Sequence, residues 1–460
     1  MKKLEETLEK NSGNPLGSEP VTRLLVKFAV PSIIAMLVSA LYNIVDQLFI
    51  GNSVGGLGNA ATNISFPLST SCVAISLMFG IGGASCFNLA MGAGDRERAP
   101  HFIGNAALLL FVCGSILALI TELFLTPMLR FFGSPEDVLP YAQTYTSITA
   151  IGFPFLILTT GGGHLIRADG NPRFAMICNL SGALINTVLD AVFIFGFHMG
   201  MAGAALATII GQIFSCGLVI RYLTDCQTVK LNLGHLRIHW RYVKKVISLG
   251  MSPFCNQIAM MIVQIVMNKS LTYYGAMSVY GESIPLTCSG IINKVGMVFF
   301  SVIIGISQGL QPIAGFNYGA GQYSRVCSAL KKALVSGGVI SVFAFAMFQI
   351  FPRQISSAFG FGSEMYFRFA TRYFRIFLFF TFANFIQPIG SNFFTAIGKP
   401  YKGVFLSLTR QILFLLPLIL LLPMWLGIDG IVYAGPCADL MAAVIAVAMV
   451  VYEVRHMRKE

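Results

Sequence analysis

Apolar runs about 20 residues long follow one another along almost the whole chain, and that single pattern constrains the fold more than any other feature. Twelve such runs cover residues 24–50, 61–91, 102–126, 138–162, 174–197, 201–222, 244–272, 285–316, 328–351, 367–393, 403–426 and 429–452. In hydrocarbon a run of this length can satisfy its backbone N–H and C=O groups only by becoming a helix. Charged residues make up 11% of the chain and apolar ones 55%, about half the charged share of a soluble domain. The expected fold class is an all-α membrane protein with twelve transmembrane helices.

The net charge of +12 does not point to nucleic acid, because the Lys and Arg residues sit in short loops and never build a long basic face. They act instead as topology signals. One set of loops holds Lys2, Lys3, Lys10, Arg23, Arg96, Arg98, Arg167, Arg173, Arg237, Arg241, Lys331, Lys332, Lys399, Lys402, Arg455, Arg458 and Lys459. The opposite set has little beyond Arg130 and Arg353. Both termini are therefore expected in the cytoplasm, with the chain multi-pass in the cell inner membrane. The run from Leu24 to Ile50 is too long for a signal-peptide core and is kept as the first span. Ten cysteines are scattered singly, without a CxxC, and are expected to serve as small buried hydrophobes.

An internal repeat divides the chain at a displacement of about 227 residues, a period suited to half a transporter rather than to a solenoid. Gly92-Ala-Gly-Asp-Arg-Glu-Arg98 matches Gly319-Ala-Gly-Gln-Tyr-Ser-Arg325. Arg167-Ala-Asp-Gly-Asn-Pro-Arg173 matches Thr395-Ala-Ile-Gly-Lys-Pro-Tyr401, with Gly ending one helix and Pro starting the next. Pro31 near the start of span one pairs with Pro253 near the start of span seven. Six spans per copy is an even number, so the copies share an orientation and a pseudo-twofold axis along the membrane normal relates the two six-helix bundles. The expected organisation is a cytoplasmic tail over 1–22, an N-lobe over 23–222, a cytoplasmic linker over 223–243, a C-lobe over 244–452 and a tail over 453–460. His235 and His239 in the linker stand four apart, but two imidazoles without a third ligand do not make a metal site.

No GxxxxGK[ST] occurs and no soluble segment is large enough for a nucleotide, which excludes ATP hydrolysis. GxSxG and HExxH are absent too, so the chain is read as no enzyme and as needing no cofactor. Transport is then passive or driven by a gradient of H⁺ or Na⁺, and coupling requires ionisable groups inside the membrane. In the first half these are Asp46, Glu122 and Asp190. Glu122 is close enough to the end of its span to be hydrated. Asn186 lies one turn before Asp190, and the depths of Asp46 and Thr208 allow all four to converge in one pocket. Two readings stand: a pair of semi-dry carboxyls that loads a proton or Na⁺, or a hydrogen-bond network that only holds spans one, five and six together. Pro31 either bends span one near this acid or starts a helix.

The second half is cationic inside: Lys269, Lys294, Arg372, Arg375 and Arg410 accompany one acid, Asp439. The repeat places Asn268 where the first copy has Asp46. Lys294 and Asp439 both fall near mid-membrane, which leaves two possibilities. Either they neutralise one another, or Lys294 faces the cleft and selects a carboxylate- or phosphate-bearing substrate.

Pro31 with Asp46, Asn186-Thr-Val-Leu-Asp190, Gly203-Ala-Ala-Leu-Ala-Thr208 and Gln311-Pro-Ile-Ala-Gly-Phe-Asn-Tyr-Gly319 resemble the multidrug and toxic compound extrusion (MATE) family, from about residue 20 to 455. The resemblance implies a V-shaped pair of six-helix bundles that exports amphipathic organic compounds, often cations, in exchange for H⁺ or Na⁺. From its DinF-like bacterial branch it assigns ion coupling to Asp46, Asn186, Asp190 and Thr208. Other branches carry coupling acids on spans seven and ten, where this chain has none well inside the membrane. Lys294, Gln311 and Asp439 are the candidates for the substrate cleft, and Pro31 for a helix bend. The expected partners are a small amphipathic substrate and membrane lipids, not nucleic acid, with one chain sufficient for function. The alternative is a flippase or exporter of lipid-linked or anionic precursors.

Overall fold

The computed structural model describes residues 14–281, 283–357 and 364–459. Lys2, Lys3 and Lys10, counted above toward the charge asymmetry, lie outside them. The first lobe contains α1 (Val21–Val54), α2 (Gly56–Gly92), α3 (Ala99–Leu123), α4, α5 (Pro172–Gly196) and α6 (Gly200–Thr224). Helix α4 is two pieces, Leu139–Ile151 and Phe153–Ala168, bent by 56°. The second lobe contains α7 (Trp240–Ala276), α8 (Ser283–Gly319), α9 (Tyr323–Ile350), α10 (Glu364–Ala396), α11 (Pro400–Leu426) and α12 (Ile428–Met457). Eleven helices are individually long and apolar enough to cross a membrane, and the bent α4 makes the twelfth span. Among the described residues there is no strand. The chain is a multi-pass, all-helical membrane protein.

Hydropathy windows find spans but not backbone breaks, and several breaks are new. Gly152 separates the pieces of α4, a 3-10 turn over Phe379–Ala383 interrupts α10, and Thr409–Leu415 of α11 is π-helical. Pro31 is not a first-turn proline: it lies buried inside α1 and leaves the carbonyl four residues earlier without its intrahelical donor.

The four longest helices, α1, α2, α7 and α8, run to between 34 and 37 residues, or about 50–55 Å, and line the seam between the lobes. Helix α1 packs on α8 and α2 on α7, an exchange that the pseudo-twofold relation demands. Contact is backbone to backbone. A Cβ on Gly250 would collide with the Met78 carbonyl, and one on Gly309 would come within 2.6 Å of the Ala29 nitrogen. Gly82 against Val246 and Gly305 against Ile33 give each pair a second such contact.

These contacts all fall toward the membrane side that carries both termini. There one hydrophobic core runs through both lobes, joining Leu24, Phe28, Phe79 and Phe87 to Val246, Ile303, Leu310 and Phe316. Toward the far side the core divides. Ile50, Ala61, Leu139, Ile194 and Met201 form a cluster of first-lobe residues alone, and Val263, Met267, Leu271, Leu415 and Ile431 one of second-lobe residues alone. The molecule is thus closed at the terminal side and split into a cleft at the far side.

Two connections reinforce the closed side. The segment before α1 crosses to the other lobe: the Leu16 carbonyl accepts from Asn317 Nδ2 at 3.0 Å and Arg325 at 3.1 Å, and the Glu19 carbonyl from Arg325 at 2.6 Å. The linker between the lobes is likewise pinned. Buried Asp169 accepts from Tyr222 Oη at 2.9 Å, from the backbone N–H groups of Gln227 and Thr228 at 2.7 and 3.1 Å, and from the Thr228 hydroxyl. Asn105 Oδ1 accepts from the His239 amide at 2.9 Å, and the His101 ring packs against both His235 and His239. Even with that third imidazole nearby, no group of His, Cys, Asp or Glu among the described residues is arranged to hold a metal.

If the glycine seam holds the terminal side shut, Gly250→Ala should destabilise this state by about 1–3 kcal/mol, an ordinary cost of overpacking. Spin labels at the exposed far-side positions Phe131 and Val279 should then report a larger population of short distances between the lobes. An unchanged distance distribution in a folded Gly250→Ala protein would show that the seam does not set the conformation.

Candidate functional site

The first-lobe site is built on one face of α5. Ala175, Cys178, Gly182, Asn186 and Asp190 are buried there at helical spacing, which turns this stripe into the lobe interior. Helix α6 comes close because glycines meet: Gly211 lies against the Gly182 carbonyl and the Asn186 backbone, and Ser215 Oγ donates to the Cys178 carbonyl at 2.7 Å. That approach brings Thr208 to Asn186. With the Asn186 amide nitrogen turned to the acid, it donates to Asp190 Oδ2 at 3.2 Å. Its oxygen then accepts from the Thr208 backbone N–H at 3.1 Å, with the Thr208 hydroxyl 3.2 Å away. Directly after Asp190 the helix widens into a π-helical stretch over Ala191–Gly196, a departure common at functional sites.

From α1, Asp46 brings its carboxyl within hydrogen-bonding reach of Asp190. Asp190 is fully buried and Asp46 half-buried. In each, Oδ1 finds no donor among the described residues. The structure therefore brings Asp46, Asn186, Asp190 and Thr208 together. Nearby stand two side chains absent from the sequence reading, Tyr42 and Tyr145, close enough to feel the charge of both acids. Tyr42 had a signal, one turn before Asp46 on the same face of α1; Tyr145 reaches the site only through the fold of α4. Glu122 is exposed near the far end of α3 and takes no part.

The second lobe corrects two expectations. Asp439 does not neutralise Lys294. Its carboxyl is 2% exposed and fully engaged, Oδ1 with Arg410 Nε at 2.6 Å and Oδ2 with Asn384 Nδ2 at 2.8 Å. Equal depth had suggested the Lys294 pair, but Asp439 turns inward, toward α10 and α11. It is therefore a structural ion pair and not a cleft residue. Gln311 is not in the cleft either: it is buried on the closed side and donates to Ser85 Oγ of the other lobe at 3.0 Å. Arg372 pairs with Asp429 at 2.9 Å at the far rim. Lys294 is half-buried and has neither an ion pair nor a hydrogen-bond partner among the described residues.

The MatE family signature matches residues 31–192 and again 254–421, one match per lobe. The chain belongs to the MatE family. Both matches begin beside the seam prolines, Pro31 and Pro253, so the family pattern repeats as the lobes do. Two curated relatives, the multidrug export proteins MepA of Staphylococcus haemolyticus and of Staphylococcus aureus strain NCTC 8325, are 24% and 23% identical, each over 95% of this chain and 94% of theirs. A solved structure of a multidrug resistance MATE family transporter in its outward-facing conformation superimposes with a TM-score of 0.90 at 20% identity, covering 97% of this chain and 98% of that one. This MatE protein is thus a membrane transporter with the two-lobe MATE fold.

In it the Arg410–Asp439 pair serves stability. Arg410→Ala leaves a buried carboxylate uncompensated and should cost about 3–5 kcal/mol, seen as a lower midpoint in thermal unfolding in detergent. Replacing both residues with apolar ones of similar volume should cost much less. Equal losses in the single and double variants would contradict the pairing.

Proposed function

We propose that this MatE protein is a secondary active antiporter that exports amphipathic organic molecules in exchange for protons, with Asp46 and Asp190 as the coupling pair. One observation carries the reading: two carboxyls in contact, each with an oxygen that has no donor. Two ionised carboxylates repel and offer each other only acceptors, whereas one proton between them supplies the missing donor to both. Such a pair titrates as a unit, and Asp46, only half-buried, is its route to water. Asn186, with its side-chain amide 3.2 Å from the Thr208 hydroxyl, borders the Asp190 side of the pair.

Reading the Lys- and Arg-rich side as cytoplasmic makes the far-side cleft an outward-facing one. Substrate then leaves from this state and protons enter it. Loading the carboxyl pair changes the charge that α1 holds against α5, and α1 is also a seam helix through Ala29 and Ile33. Proton binding and the packing of the lobes therefore act on the same helix, which is the coupling that alternating access requires. The multidrug export that the MepA relatives are named for fits a far-side cleft between the lobes.

The test is efflux of a fluorescent amphiphile from vesicles under separately imposed pH and Na⁺ gradients. Wild type should run on the pH gradient. Asp190→Asn should abolish gradient-driven efflux, and Asp46→Asn should do the same, since either removes the shared proton's site. Undiminished proton-driven efflux in Asp190→Asn would overturn the assignment, and efflux that follows only the Na⁺ gradient would replace the proton with sodium.

A further inference from the structure

The seam contacts fix which face of each central helix looks at the other lobe, and that face can be followed from the closed side into the cleft. At about 100° per residue, the α8 face that meets α1 at Gly305 passes within about 20° of Lys294, three turns farther out. On α7 the face that meets α2 at Gly250 returns in register at Asn268, five turns farther out. Gln264 links Asn268 to Asn293, the residue before Lys294. It receives an amide hydrogen bond from Asn293 at 3.2 Å and donates to Asn268 at 2.9 Å. The second-lobe wall of the cleft is thus a polar strip of side-chain amides that ends in an unpaired ammonium.

The opposite wall differs. Continued outward from Ala29 and Gly82, the facing positions of α1 and α2 are mainly apolar, Met36, Ala40, Ile44, Ile64 and Ile75, with Gln47 and Ser71 the polar interruptions. No Asp or Glu occurs anywhere in α2, α7 or α8. The one acid within the membrane part of α1, Asp46, lies at least about 100° away from the seam face and points into its own lobe. Beyond the closed side, the four helices that line the cleft carry two cations, Lys269 and Lys294, and of these only Lys294 lies on the facing line. An ammonium held in such a place without a counterion is costly unless a ligand supplies the charge.

We propose that the cleft recognises amphipathic anions, an apolar body with a carboxylate or phosphate, whose charged group docks on Lys294 beside Gln264 and Asn268 while the apolar part lies on the Met36–Ile75 wall. This rests on the export reading above and specifies its substrate class. The coupling acids sit in a separate pocket, so the anion does not compete with the proton for a site. Cationic amphiphiles find no carboxylate on these walls to pair with, and meet like charge.

Binding and transport decide the two ideas separately. Purified protein in nanodiscs is titrated with three fluorescent amphiphiles of similar size, one bearing a carboxylate, one neutral and one a quaternary ammonium, and followed by polarisation. Wild type should prefer the carboxylate. Lys294→Ala should weaken that probe by about tenfold or more, the weight of a charge-assisted contact, and leave the other two unchanged. Lys294→Arg should restore most of the loss, and Lys294→Glu should shift preference toward the cation. Tighter binding of the cation by wild type, or equal weakening of all three probes in a folded Lys294→Ala protein, overturns the proposal. Efflux of the same probes reports on the earlier reading: proton-driven efflux confined to the cation would leave the antiporter standing and reject the anion, while absence of gradient-driven efflux with anion binding intact would do the reverse.

Discussion

Close backbone contact between α1 and α8, and between α2 and α7, is what the remaining architecture depends on. Lipid gives apolar helices little hydrophobic reason to associate, so two bundles in a bilayer hold together through packing and hydrogen bonds. Gly82, Gly250, Gly305 and Gly309 provide the packing by letting main chains approach where any side chain would intervene. The hydrogen bonds come from Gln311 to Ser85 and from Asn317 and Arg325 to the segment before α1. Because both devices sit on one side of the membrane, the far side is left open by default, and a cleft follows from where the glycines are.

The duplicated frame then carries different chemistry in each half. In the first lobe an acid on α1 meets an acid on α5, with Asn186 and Thr208 completing the set. In the second lobe the place of Asp46 is taken by Asn268, which bonds to Gln264 and belongs to the cleft wall. The acid of that lobe, Asp439, is spoken for by Arg410 and Asn384. One lobe keeps an acid pair with unpartnered oxygens inside its own bundle, and the other keeps a half-buried base without a counterion. On the reading proposed above, a pseudo-twofold fold separates the group that titrates from the group that faces the cargo.

Much of this was legible in the residues, and the failures have a common cause. Hydropathy showed the twelve spans because the bilayer imposes one length on all of them. The acid quartet was legible because Asn186 and Asp190 are one helical turn apart, and depth alone narrows what Asp46 and Thr208 can reach. Depth without rotation misled at Lys294 and Asp439: both lie near mid-membrane, yet one faces across the seam and the other into its bundle. Gln311 failed similarly, its polarity suggesting a cleft although its height on α8 belongs to the closed side. The breaks in α4, α10 and α11 escaped hydropathy, although Pro154 and Pro417 stand in the first turn of helices that resume, because neighbouring helices decide whether a freed backbone group is tolerated. Tyr145 was out of reach for the same reason, since only the folded α4 carries it to the acids.

The rotational argument also works in the other direction. Once two or three seam contacts fix which face of a helix looks across the lobes, about 100° per residue extends that face along a helix of 37 residues without any further contact. Asp46 then falls inside the first lobe and Lys294 falls in the cleft. Neither assignment depends on the charge of the residue, so the chemistry is inferred after the geometry. For a transporter whose cargo is unidentified, that order matters: the walls of the cleft, read as surfaces, are one mostly apolar and one amide-rich with an ammonium, and the amphipathic anion proposed above is the ligand that would suit both.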